Sequence, residues 1–226
     1  MTAATITVEQ VAAQATRVRE RIAAVGGEPE SIRVIAVTKG FGPEVVQAAV
    51  GAGFGDIGES YAQELLTKAE AVSAPSTTVH FVGRVQTNKV RKIAALVDLW
   101  HSIDRVALGT EVAKRSPGAA VLAQVNLSGE PSKAGCRPDE VRDFVATLRD
   151  LGLDVQGLMT IGPRGEPEAA RPAFRTLRRM ADELELETCS MGMSNDLEVA
   201  VEEGTTMVRV GTALFGPRPR TAEVEH

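Results

Sequence analysis

Ile32-Arg33-Val34-Ile35-Ala36-Val37-Thr38-Lys39, closed by Gly40-Phe41-Gly42-Pro43, is the stretch that decides the architecture. It is rich in β-branched residues and stops at glycine and proline, the composition of a buried strand followed by a turn. Strand side chains alternate, so Ile35, Val37 and Lys39 share one face while Val34, Ala36 and Thr38 share the other. Lys39 therefore ends an apolar face at a strand tip. Desolvation there lowers an amine's pKa towards its neutral, nucleophilic form, as imine chemistry requires. For a lone lysine, snorkelling out at the strand end is the simpler account. The rest of the chain has to decide.

On both sides of this stretch, strand and helix patterns alternate. Ahead of it, Thr7-Val8-Glu9-Gln10 has the form of a capping box. Apolar residues at 8, 11, 15, 18, 22 and 25 then trace a helical stripe that ends at Gly26-Gly27. Behind it, Pro43 suits the first turn of a helix reaching about residue 53. Further strands are expected at 56–58, 79–83, 99–103, 119–126, 155–159, 188–190 and 207–210, each followed by an amphipathic segment. Ser60 with Gln63, Asp104, and Asn195 are expected to cap three of those helices. Residues 1–6 and the polar tail are expected to fray. Residues 127–137 read as a mobile polar loop carrying a solvated Lys133.

Strands alternating with helices, with no linker between, imply a parallel sheet. Residues 32–216 leave about 23 residues per unit for eight units, compact but sufficient for a (β/α)8 TIM barrel with one extra N-terminal helix. An open doubly wound sheet would want a GxGxxG turn after the first strand, and Lys39-Gly40-Phe41-Gly42-Pro43 lacks it. The expectation is a single α/β barrel domain over residues 1–226.

Composition narrows the function classes. The chain has 226 residues and a net charge of −5, without a basic block long enough to track a phosphate backbone, so nucleic acid is not an expected partner. Two cysteines, Cys136 and Cys189, have neither CxxC nor Cys/His spacing, which fits a reduced cytoplasm and no metal site. With no signal-peptide pattern and no long apolar run, a soluble cytoplasmic protein is expected, away from membranes.

In a barrel, chemistry gathers at the C-terminal strand ends, and phosphate often sits by the loops after the seventh and eighth strands. Here those loops are Ser190-Met191-Gly192-Met193-Ser194-Asn195 and Gly211-Thr212, offering hydroxyls and bare backbone. Arg209 alternates with Met207 and Gly211 and so faces inward with them. A strand-end lysine, a phosphate corner and an inward arginine are the parts that hold pyridoxal phosphate.

The resemblance is then specific. Ala36-Val37-Thr38-Lys39, Gly58-Glu59-Ser60-Tyr61-Ala62-Gln63-Glu64, His80 to Lys89 (HFVGRVQTNK), His101-Ser102-Ile103-Asp104, Gln124-Val125-Asn126, Gly157-Leu158-Met159-Thr160-Ile161, Ser190 to Ser194 and Val208-Arg209-Val210-Gly211-Thr212-Ala213 follow one another in order. Together they resemble the pyridoxal-phosphate homeostasis protein family, single-domain relatives of the alanine racemase barrel (fold type III). The resemblance implies that Lys39 is the aldimine lysine, that Arg209 faces the pyridine nitrogen, and that Ser190, Ser194, Gly211 and Thr212 hold the phosphate. Ser60 and Met191 are expected in the same cofactor shell. At position 60 the family usually carries asparagine.

Arginine only donates, so opposite Arg209 the ring nitrogen must accept and stays unprotonated, a weak electron sink. Racemisation also needs acid and base on opposite faces, and related racemases take the second from another domain. His80 and His101 read as satisfied core histidines, and Tyr61, heading a helix, as packing or capping. No catalytic residue is assigned. The expected role is holding and delivering pyridoxal phosphate in vitamin B6 homeostasis, as a monomer, with pyridoxal-phosphate-dependent apoenzymes as recipients. A low-rate amino-acid racemase and a Schiff-base aldolase, with Glu59 as its base, are the alternatives.

Overall fold

The computed structural model describes residues 6–74, 77–130 and 133–218. Its strands are β1 (Arg33–Val37), β2 (Asp56–Glu59), β3 (Thr78–Phe81), β4 (Leu99–Ile103), β5 (Ala120–Gln124), β6 (Asp154–Met159), β7 (Thr188–Met193) and β8 (Met207–Val210). They form one closed parallel barrel in sequence order. Closure comes from β1 pairing β8, with Val34 opposite Val208 and Ile35 opposite Arg209. No strand edge is left exposed, the usual advantage of a closed sheet.

The helices are α1 (Val8–Ala24), α2 (Pro43–Gly51), α3 (Ala62–Thr67), α4 (Ala69–Val72), α5 (Thr87–Ile93), α6 (Val106–Arg115), α7 (Val141–Asp150), α8 (Arg171–Glu183), α9 (Leu197–Glu202) and α10 (Thr212–Phe215). The capping box at Thr7 and Gln10 forms as expected. α1 packs on α2, α9 and α10, so the extra helix lies over the seam where the last strand meets the first. Among the described residues no helix is long and apolar enough to cross a membrane. Residues 1–5 and most of the polar tail, including His226, lie outside the described residues.

Alternation sorts the core into two layers. Ile35, Val37, Leu99, Leu122, Met159 and Met207 fill the barrel interior. Val34, Ala36, Val208 and Val210 face the helices, in the larger outer core. Lys39 follows the Ile35–Val37 face and opens into the interior, as its spacing implies.

Three expected caps take other work. α3 starts at Ala62 behind Tyr61, with no side-chain cap, because Ser60 lines a cavity instead. α6 starts behind Arg105, and the Asp104 carboxylate is held by the Arg105 and Arg84 guanidinium groups. α9 starts behind Asp196, whose Oδ1 accepts the Met193 N–H at 2.6 Å, so Asn195 is not its cap. The helix after β2 also breaks at Lys68 into α3 and α4.

Candidate functional site

The break at Lys68 lets its side chain turn inward. Its ammonium, 1% exposed, pairs with Glu59 Oε1 at 2.6 Å and donates to the Thr38 carbonyl at 2.8 Å. The Thr38 hydroxyl also bonds Glu59, so the outward faces of β1 and β2 are locked together directly beneath Lys39. Burial pushes the Glu59 carboxyl up, against the pull of Lys68 and Thr38, and its second oxygen, Oε2, has no hydrogen-bond partner among the described residues. After Lys39 the chain turns at Gly40, whose φ of 79° is the left-handed region glycine favours. The Gly40 N–H donates to Glu64 Oε2 at 2.7 Å, which fixes that turn.

Lys39, held this way, enters a cavity of about 300 Å³ at the C-terminal strand ends, lined also by Ser60, Ser194, Arg209, Gly211 and Thr212. A wider one, about 630 Å³, shares Lys39 and Ser60 with it and reaches Arg84, Asn126 and Lys133. Burial, then the neighbouring cations Arg218 and Arg209, lower the Lys39 amine below the ordinary lysine range; Glu64 and Glu59 oppose them.

The far end of the smaller cavity is made by the loops after β7 and β8. Ser194 Oγ accepts the Ala213 N–H at 3.1 Å and ties the two loops to each other. Arg21 on α1 donates to the Ser194 carbonyl at 3.0 Å while pairing with Glu198. Gly211 lies so close to β1 that a Cβ there would stand 3.0 Å from the Val37 carbonyl oxygen.

Arg209 is 5% exposed, and its three hydrogen bonds among the described residues go to neutral oxygens. Nη1 donates to the Ser190 carbonyl at 2.9 Å and to its hydroxyl at 2.6 Å, and Nη2 to the Thr160 carbonyl at 2.9 Å. Burial pushes this guanidinium down to about 10, so it is still cationic at neutral pH, with Asp196 helping to keep it charged.

Six of the eight residues expected around the cofactor thus meet at one cavity. Ser190 and Met191 do not line it. Ser190 faces the barrel interior with its hydroxyl taken by Arg209, and Met191 turns its side chain into the outer core. Sequence reasoning missed Arg218, which lines the cavity and lays its side chain over Gly40. It follows the last helical turn and reads as tail. Tyr61 stands at the N-cap position of α3 but gives no side-chain cap; it is 53% exposed beside the wider cavity. Lys133 is not solvated, since it pairs with Glu130 at 2.8 Å and donates to the Gly162 carbonyl at 3.0 Å. Asn126 braces the same loop through the carbonyls of Glu130 and Lys133; Pro131 and Ser132 lie outside the described residues.

This closed eight-stranded barrel, with a half-buried lysine after its first strand and a buried arginine on its last, belongs to the alanine racemase class of barrels. The family model for the alanine racemase N-terminal domain matches residues 6–219. Within that class the chain belongs to the pyridoxal phosphate homeostasis protein family. It is 40% identical to the pyridoxal phosphate homeostasis protein of Pseudomonas aeruginosa over 218 residues, covering 93% of this chain and 95% of that one. The Aquifex aeolicus protein of the same name is 41% identical, over 89% of this chain and 94% of its own. The structure of PipY from Synechococcus elongatus PCC7942 with PLP bound superposes with a TM-score of 0.75 at 33% identity, covering 88% of this chain and all (100%) of PipY.

Proposed function

We propose that this chain binds pyridoxal 5'-phosphate covalently through Lys39 and acts as a carrier in intracellular vitamin B6 homeostasis. The observation that carries this is the placement of a desolvated lysine and a carboxylate-free buried arginine in one cavity. The residues present fit the group at each of its functional ends. Lys39 would take the aldehyde carbon, Ser194, Gly211 and Thr212 would hold the phosphate, and Arg209 would face the ring nitrogen. Bound pyridoxal phosphate supplies a reactive aldehyde and an electron-withdrawing ring.

What the protein does with that ring follows from its own side chains. Arg209 has only protons to give, so it keeps the ring nitrogen an acceptor and the electron sink weak. Ser194 and the backbone of Gly211 and Thr212 would orient the anion by hydrogen bonding. Glu59 lies outside the barrel wall, bound to Lys68 and Thr38, and offers Lys39 no base inside the cavity. That weighs against an aldolase, for which Glu59 was the one base left open. A monomeric, single-domain, cytoplasmic carrier that passes the cofactor to dependent apoenzymes completes the proposal.

The test is titration of the free protein with pyridoxal phosphate followed by visible absorbance. A saturable yellow band in the wild type that is absent from Lys39→Ala supports the reading. An equal band in both, or none in either, refutes it.

A further inference from the structure

The barrel interior is not wholly apolar. A row of buried polar groups crosses it from the N-terminal face to Arg209. Asp56, at the start of β2, contacts His80 Nε2 on β3 at 2.8 Å. His80 Nδ1 lies 2.9 Å from His101 Nε2 on β4, and His101 Nδ1 lies 3.0 Å from the Ser190 hydroxyl on β7. Arg209 on β8 donates to that same hydroxyl at 2.6 Å. Both imidazoles and Ser190 are fully buried, and Asp56 is partly exposed beside Arg33.

Proton counting gives this row a direction. An ionised Asp56 can only accept, so His80 donates through Nε2–H. A neutral His80 then accepts at Nδ1, which makes His101 the donor through its Nε2–H. His101 accepts in turn at Nδ1, and only the Ser190 hydroxyl can supply that proton. Ser190 Oγ is left with its lone pairs towards Arg209, a pure donor. With Asp56 ionised and both imidazoles neutral, every link agrees in one arrangement, two Nε2–H tautomers; a protonated His80 would turn the row round, with His101 donating from Nδ1 to Ser190.

We infer that Asp56, His80, His101 and Ser190 are positioning residues for Arg209, forming a one-way hydrogen-bond relay that aims its guanidinium at the cofactor ring. Among the described residues Arg209 has no carboxylate as a hydrogen-bond partner; the relay substitutes for one by polarising Ser190 Oγ along a chain anchored on the Asp56 charge. The groups around His101 agree with this. Burial first, then the Arg209 and Arg33 charges, push its imidazole well below the ordinary histidine range, so it stays neutral. At the other end burial pushes the Asp56 carboxyl up, but His80 and Arg33 outweigh it and hold it below the usual range. The inference rests on the pyridoxal phosphate reading only for what Arg209 faces.

Two measurements test it. On the free, histidine-labelled protein, nitrogen–proton correlation spectra should show His80 and His101 as neutral Nε2–H tautomers at neutral pH. An imidazolium at either position, or a proton on His101 Nδ1, overturns the relay. The second compares binding of pyridoxal phosphate with its 1-deaza analogue, in which a carbon replaces the ring nitrogen. The wild type should prefer pyridoxal phosphate by about tenfold, the worth of one oriented hydrogen bond from a charged donor. Asp56→Asn and Ser190→Ala should reduce that preference several-fold while affinity for the analogue holds, and Ser190→Thr should restore it. An unchanged preference, or equal weakening towards both compounds, overturns the positioning role. If neither compound binds the wild type, the cofactor reading fails and the tautomers alone decide the relay.

Discussion

At the scale of single residues, the site turns on how far the Lys39 amine is held from its ordinary state. Burial and the Arg218 and Arg209 charges favour the neutral amine, the form that attacks an aldehyde. Covalent capture of pyridoxal phosphate should therefore reach its plateau rate below pH 10.5, the ordinary lysine value. Arg218→Ala removes a lowering charge and should move that profile to higher pH; Glu64→Gln removes a raising one and should move it lower. Stopped-flow absorbance across pH reads both shifts, and movement in the opposite directions contradicts the assignment. The sign for stability follows. In the window between the folded value and 10.5 the unfolded chain binds more protons at this residue, so its contribution to stability improves as pH rises.

Single residues were also the most and the least legible part of the sequence. Lys39 and Arg209 were readable because strand alternation alone fixes which way each points. The roles of His80, His101 and Ser190 were not, because their partners come from different strands and 19 to 89 residues away. Ser190 sits next to a glycine and hydroxyl loop in sequence, yet its own pleat faces it into the barrel and away from that loop.

At the scale of elements, the strand-to-helix corners carry the site, and each is held by buried contacts. Removing one partner of a buried ion pair strands the other charge, so Lys68→Ala should cost about 3–5 kcal/mol in denaturant unfolding. The paired change Glu59→Gln with Lys68→Met should recover most of that loss, and a double variant no better than the single would show the pair is not the cause. A second corner depends on close backbone approach. A Cβ at Gly83, after β3, would lie 2.1 Å from the Ser60 carbonyl oxygen after β2. Gly83→Ala should therefore displace Ser60 and weaken pyridoxal phosphate binding beyond its effect on stability, as paired melting and binding curves would report. Corners were where sequence reading failed most often. Ser60, Asp104 and Asn195 all look like helix caps, but cavity lining, ion pairing and the Asp196 turn use these positions otherwise. Capping preference is a local statement, and tertiary contacts overrode it three times.

At the scale of the whole molecule, the barrel was legible because its alternating elements leave few ways to bury a parallel sheet. Both cysteines lie inside that structure. Burial pushes the Cys136 thiol up to about 12 and the Cys189 thiol to about 11. Neither should react with a thiol reagent at neutral pH unless the barrel opens, so modification rates should track global unfolding across denaturant. Fast labelling of Cys189 in the native state would contradict the closed outer core around β7. A carrier should also leave amino acids unchanged. L-alanine in deuterated water should gain no Cα deuterium above the level given by free pyridoxal phosphate, whereas exchange lost in Lys39→Ala would mark a racemase. The central claim, covalent capture at Lys39, is tested most directly by borohydride reduction of the protein with pyridoxal phosphate, followed by peptide mass mapping. A single reduced adduct on Lys39 is expected; an adduct confined to Lys68, Lys89 or Lys133 would contradict covalent capture there.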